Sequence, residues 1–334
     1  MKLVDHFQYG LNSPICLTWE LTYACNLACT HCLSSSGRRD PHELTTDQCK
    51  AVIDELERMQ VFYVNIGGGE PTVRSDFWEL VDYATEHHVG VKFSTNGVRI
   101  DKAVAERLAA SDYVDVQISL DGATAEVNDA VRGPGSFAMA IRALENLSEA
   151  GFRDAKISVV MTRHNVGQLD EFKALADRYG ATLRITRLRP SGRGADVWDE
   201  LHPTAVQQRE LYDWLVAHGD GVLTGDSFFH LSAYGEALPG LNLCGAGRVV
   251  CLIDPLGDVY ACPFAIHDSS WPATCARTAA STRSGRPRRC SSSCARRRPG
   301  APAPSARRTT RAAAAAWPPS SSPASRSTAR TRSA

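Results

Sequence analysis

The chain has 334 residues, 43% of them hydrophobic, eleven cysteines and equal numbers of acidic and basic residues. That is ample for a globular protein with a large buried core, while no run of about 18 apolar residues offers a membrane span and the opening Met1-Lys2-Leu3-Val4-Asp5-His6 lacks a secretory signal. The zero net charge hides a division: residues 1–268 hold all 37 acids against 23 Lys and Arg, and residues 269–334 hold 14 Arg and no acid, so the two parts carry about −14 and +14.

From Pro14 to Pro190 the pattern predicts an α/β domain in which short apolar strands alternate with amphipathic helices. Strand 15–21 runs into a cysteine-rich loop, and helix 45–59 follows with Thr45 or Thr46 as its N-cap. Then come strand 61–66, helix 75–87, strand 90–94, helix 102–110, strand 113–119, helix 137–150, strand 155–161, helix 168–179 and strand 182–187. Six strand-helix units joined by short links predict a parallel sheet, and they fit a partial (β/α)6 TIM-like barrel better than a closed eight-stranded one. In such barrels the loops at the C-terminal strand ends form the site.

Those loops carry the unusual residues. The first holds Cys25-Asn26-Leu27-Ala28-Cys29-Thr30-His31-Cys32, and the second Gly67-Gly68-Gly69-Glu70-Pro71. The third holds Ser94-Thr95-Asn96-Gly97, the fourth Ser119-Leu120-Asp121-Gly122 with Arg132-Gly133 beyond, and the sixth Arg187 through Gly194. Glycine-rich strand ends alone mean tight turns. Three cysteines spaced Cys-x3-Cys-x2-Cys can ligate three irons of a cubane and supply no local fourth thiolate, which leaves one iron open for a substrate. Short cysteine loops also serve zinc ribbons, so a non-catalytic metal-binding scaffold is the alternative of another class. With a cytoplasmic location expected, cysteines serve metals or catalysis rather than disulfides. Cys16 in a strand and Cys49 in a helix read as small buried hydrophobes, Cys251 as a residue that packs a strand, and His31 as a residue packed behind the metal rather than a ligand.

The triplet after the first strand, with Gly68-Gly69-Glu70 after the second, resembles the radical S-adenosylmethionine (radical SAM) superfamily over residues 14 to about 190. The resemblance implies a 4Fe-4S cluster on Cys25, Cys29 and Cys32 whose open iron chelates SAM, and reductive cleavage to a 5'-deoxyadenosyl radical that abstracts hydrogen. It places the backbone of Gly68, Gly69 and Glu70 at the SAM amino group, Ser119 and Asp121 at the ribose hydroxyls, Arg132 at the SAM carboxylate, and Ser94 and Asn96 along the same pocket. It names no catalytic side chain beyond the cluster.

Cys244, Gly257 and Cys262 resemble the opening of a SPASM region, which carries auxiliary 4Fe-4S clusters in peptide maturases. Segments 29–37 and 60–71 look like those of the mycofactocin maturases in particular, with the maturase of pyrroloquinoline quinone synthesis as the rival within the class. This implies oxidative decarboxylation of the C-terminal Tyr of a small precursor peptide, followed by a carbon-carbon bond between Val and that residue. It also implies a small peptide-binding chaperone and an electron donor, with neither nucleic acid nor membrane as partner. The expected organisation is a radical SAM core at 1–190, a bridging region at 191–243, a truncated SPASM start at 244–268 and a disordered tail at 269–334.

That tail uses only Ala, Arg, Ser, Pro, Thr, Gly, Cys and Trp, a composition unable to bury a core. An Arg-rich nucleic-acid arm would interleave aromatics, and this one does not. A lost reading frame fits better. The family's distal Cys-Arg-Gly-Gly-Cys-Met-Ala-Ala-Lys-Phe-Phe-Thr-Gly, written in GC-rich codons and read one base later, gives the sequence from Ala312 to Ala324. The frame is then lost near Asp268, and Cys275, Cys290 and Cys294 are products of shifted codons.

Overall fold

The computed structural model describes residues 14, 16–153, 155–224, 229–235, 238, 246–247, 250–264 and 273–274. It divides into residues 1–296 and 297–334, and everything described belongs to the first unit. In chain order this unit holds β1 (Cys16–Thr22), α1 (Thr46–Arg58), β2 (Tyr63–Gly68), α2 (Phe77–Glu86), β3 (Gly90–Thr95) and α3 (Lys102–Ala109). Next come β4 (Val114–Ser119), α4 (Ala125–Arg132), α5 (Ser136–Glu149), β5 (Lys156–Met161), α6 (Leu169–Arg178) and β6 (Thr182–Arg187). The short α7 (Arg193–Asp196) and α8 (Trp198–Leu201) lead to α9 (Ala205–His218), β7 (Val222–Thr224), β8 (Val250–Ile253), β9 (Asp258–Tyr260) and β10 (Ala273–Thr274).

The strands form one sheet in the order β10-β9-β8-β1-β2-β3-β4-β5-β6-β7. Each pair from β1 through β7 is parallel, so the C-terminal ends of β1 to β6 share one rim, as the alternation predicts. β7 and β10 remain as edges, so the sheet does not close, as befits a partial barrel. β8 adds to the far side of β1 in parallel, with Trp19 opposite Ile253, and β9 returns antiparallel to β8.

Alternation places Leu17, Trp19 and Leu21 of β1 in the core with Phe77, Phe93, Ile118, Ile157 and Phe172, all nearly inaccessible. The Phe77 and Phe93 rings meet edge to face at 5.2 Å. Each such fully buried side chain contributes roughly 1.5–3 kcal/mol. Thr45 is the α1 cap: its hydroxyl accepts from Gln48 N–H at 3.4 Å while the Gln48 side chain accepts from Thr45 N–H at 2.9 Å. Cys49 is fully buried on that helix.

Three features depart from the sequence expectation. α4 forms where only Val127 and Val131 supply large apolar side chains, because Thr124 caps its start and Gly133, at φ 105°, ends it. β7 and β8 extend the sheet beyond six strands. Ala273 and Thr274, inside the stretch expected to be disordered, pair antiparallel with β9, since ladder bonds need backbone rather than apolar side chains. The rest of segment 269–334 lies outside the described residues. Among the described residues no helix is long and apolar enough to cross a membrane.

Candidate active site

The loop after β1 is closed at its root by Cys25 N–H to Gly37 O at 3.0 Å and Gly37 N–H to Tyr23 O at 2.8 Å. Within it Cys25, Cys29 and Cys32 are free, half-buried thiols. Backbone amides point at sulfur: Leu27 N–H lies 3.4 Å from Cys25 Sγ and Ser36 N–H 3.4 Å from Cys32 Sγ. Burial is the main cause that pushes the Cys25 and Cys29 thiols above their ordinary range, and bound iron would reverse that by favouring thiolate. Among the described residues no three His, Cys, Asp or Glu side chains converge on a single ion. A cubane does not ask them to, because each thiolate takes its own iron. The donor set therefore fits a cluster.

The Gly68-Gly69-Glu70 segment is stitched to the root of this loop. Gly69 N–H donates to Thr22 O at 2.7 Å and Glu70 N–H to Ala24 O at 2.8 Å. The approach requires glycine: a Cβ on Gly69 would lie 2.0 Å from Ala24 O, and one on Gly68, at φ 102°, 2.6 Å from Thr22 O. Glu70 is buried, and its carboxylate accepts from Thr72 Oγ1 at 2.6 Å, Thr95 Oγ1 at 2.7 Å and Asn96 N–H at 2.7 Å. The side chain thus braces β2 against β3 rather than facing a ligand. Asn96 reaches the cysteine loop, donating from Nδ2 to Asn26 Oδ1 at 2.8 Å.

Ser94 and Ser119 are half-buried neighbours of the fully buried Phe93 and Ile118 on their strands, so alternation turns them to the opposite face of the sheet. Asp121 differs from its sequence expectation. The resemblance puts it at a ribose, yet its carboxylate is fully buried, with Oδ1 accepting from Val160 N–H at 2.8 Å and Oδ2 2.7 Å from both His31 Nε2 and Arg132 Nε. Burial alone would raise this carboxyl; Arg132 and His31 more than offset it and hold it far below the ordinary carboxylate range. Arg132 is consequently paired inside the protein. α4 also docks on the cysteine loop, with Thr30 N–H donating to Val131 O at 2.9 Å.

Two further groups border the site. Glu20 on β1 is almost fully buried beside Asp254, the residue after Ile253 in the β1–β8 register, and burial first, then the Asp254 charge, pushes it up to about 7. Arg193, at the start of α7, donates to the cysteine loop from side chain and backbone. The sequence signals neither, apart from the glycines flanking Arg193. Cys262 is a free, half-buried thiol just past β9, and Gly257 makes the β8–β9 turn at φ 86°. Cys244 lies outside the described residues.

Residues 19–177 match the Radical SAM superfamily profile. The mycofactocin maturase MftC of Mycolicibacterium smegmatis is 84% identical over 269 residues, which is 80% of this chain and 69% of that protein. An AdoMet-dependent heme synthase of Methanosarcina barkeri is 36% identical over 274 residues, 76% of this chain and 78% of that one. Among solved structures, Streptococcus suis SuiB superposes with a TM-score of 0.66 when bound to S-adenosylmethionine and 0.64 when bound to its precursor peptide SuiA. Sequence identity is 18% and 19%, and the matches cover 82% and 81% of this chain against 66% and 64% of SuiB, so they speak for the fold alone.

Proposed function

Because the chain belongs to the mycofactocin maturases of the radical SAM superfamily, we propose that it acts on a small precursor peptide, oxidatively decarboxylating its C-terminal Tyr and then joining Val to that residue. The observation that carries this reading is the half-buried Cys25-Cys29-Cys32 loop locked against Gly68-Gly69, in a chain 84% identical over 269 residues to such a maturase. Bound on those three thiolates, a 4Fe-4S cluster with SAM supplies the hydrogen-abstracting 5'-deoxyadenosyl radical.

The chain's own residues do the positioning. Leu27 and Ser36 amides direct N–H bonds at two of the sulfurs, and the absence of Cβ atoms at Gly68 and Gly69 lets the β2 loop lie on the root of the cysteine loop. The backbone of Gly68 and Gly69, Ser94 on β3, Asn96 just past it and Ser119 at the end of β4 are the groups we assign to SAM. Asp121 and Glu70 act one step behind, Asp121 by orienting Arg132 and His31, and Glu70 by fixing Asn96. A chaperone for the peptide and an electron donor belong to the same proposal.

We also propose that the reading frame is lost near Asp268. The 269-residue match to the mycofactocin maturases supports this, since that length equals the chain less its low-complexity tail within one residue. Cys244 and Cys262 then remain without their distal partners, and the auxiliary clusters are incomplete.

The test is anaerobic reconstitution with iron and sulfide, then incubation with SAM, reductant, the chaperone and a peptide ending in Val-Tyr. Mass spectrometry should show 5'-deoxyadenosine in every case. A version with the frame restored should remove carbon dioxide and two hydrogens from the peptide, and a restored enzyme that leaves it unchanged contradicts the substrate assignment.

A further inference from the structure

The Leu27 and Ser36 amides of the cysteine loop point at its sulfurs, while Cys29 O and Cys32 O take only long bonds within the loop, from Cys32 N–H at 3.3 Å and Ser35 N–H at 3.4 Å, and have room for further donors. Residues 191–194, beyond β6, supply them. Arg193 Nε donates to Cys29 O at 2.9 Å, Arg193 Nη1 to Ser36 O at 2.8 Å, and Arg193 N–H to Cys32 O at 3.0 Å. Ser191 Oγ lies 3.5 Å from Leu33 O. Glycine lets the backbones touch: a Cβ on Gly192, at φ 54°, would sit 2.3 Å from Leu33 O and 2.5 Å from Cys32 O, and one on Gly194 would come within 3.2 Å of His31 O. One guanidinium therefore bridges carbonyls seven residues apart, on either side of Cys32.

We infer that Arg193 is a positioning residue for the cluster, holding Cys29 and Cys32 at their ligating separation by clamping the carbonyl face of their loop. The inference rests on the cluster reading above, and it adds a residue to the site from outside the cysteine motif. Arginine is required by geometry. Its planar fork presents fixed donors in two directions, whereas a lysine ammonium gathers its three donors at one point on a flexible stem and does not reproduce that fork. The same segment ties the loop to the C-terminal region, because the Arg189 guanidinium stacks 3.8 Å over the Phe264 ring, two residues past Cys262.

The experiment uses the full chain as wild type, R193K and R193A. The iron-free proteins are treated with iodoacetamide under reducing conditions, and labelling at each cysteine is followed by mass spectrometry. Cys29 and Cys32 should label roughly ten-fold faster in R193A, with R193K between, as expected for loss of charged hydrogen bonds. Cys49, buried in α1, serves as the fold reporter and should stay unlabelled. Reconstituted R193A should also release iron to a chelator several-fold faster than wild type, and its SAM-bound cluster should give an altered electron paramagnetic resonance spectrum. Equal labelling and equal iron release in wild type and R193A overturn the clamp. If Cys49 labels in R193A, R193K decides, and wild-type behaviour there overturns it as well. A wild-type chain that takes up no iron, yet labels more slowly than R193A, removes the cluster reading and leaves a clamp on a loop of other purpose.

Discussion

His31 Nε2 lies 2.7 Å from Asp121 Oδ2, so the residue between Cys29 and Cys32 is pinned to the loop after β4, 90 positions along the chain. The same oxygen pairs with Arg132, so one fully buried carboxylate holds two side chains that the sequence leaves far apart.

Asp121→Asn should therefore be costly. It leaves Arg132 buried without its counter-charge, and removal of one partner from a buried pair costs roughly 3–5 kcal/mol. Chemical denaturation at pH 7 measures it. The sign follows from the lowered carboxyl: its stabilisation is present above the unfolded-state value and is lost only as pH falls through the depressed one. The deficit of Asp121→Asn should persist undiminished at pH 5. A variant as stable as wild type there would show that the pairing contributes nothing.

Glu20 titrates in the opposite sense. Its carboxyl is about 7 in the folded protein against 4.5 ordinarily, so the unfolded chain ionises first and folding loses up to about 3 kcal/mol between pH 4.5 and 7. Glu20→Gln cannot ionise and should escape that loss. Urea midpoints at pH 5 and pH 8 test it: the variant should gain on wild type at the higher pH, and an unchanged difference would place Glu20 in water.

Gly69→Ala forces a methyl to within 2.0 Å of the Ala24 carbonyl oxygen, a backbone atom that cannot turn aside. The β2 loop must retreat from the root of the cysteine loop, at a cost of about 1–3 kcal/mol or more. Iron uptake on reconstitution should fall. Gly37→Ala is the control, since a Cβ there meets nothing within 4 Å.

Iron content tests the lost frame. The chain as it stands should hold about four irons, one cubane's worth, and a version with the frame restored should hold more. Equal content in the two would show that segment 269–334 costs the protein no cluster ligand.

The strands and most helices were legible because alternation and 3.6-residue periodicity are local signals, and β1 to β6 needed nothing else. α4 escaped because its sequence is polar on most sides and is held by its cap and by docking on the cysteine loop. The pairing of β8 with β1 could not be read, since it joins residues more than 200 positions apart. At the site, the cysteines and glycines stood out by spacing. Asp121 and Arg193 did not reveal their partners, because a buried carboxylate and a surface one look alike in sequence, and the carbonyls that Arg193 grips lie 157 and 164 positions away.

The central claim is that Cys25, Cys29 and Cys32 hold a SAM-cleaving cluster. Its most direct test is 5'-deoxyadenosine production by the anaerobically reconstituted, reduced chain given SAM, beside the Cys25→Ala, Cys29→Ala and Cys32→Ala variants. The expected result is product from wild type and none above background from any variant. Product that survives loss of one of these thiols, or an iron-loaded wild type that makes none, would contradict it.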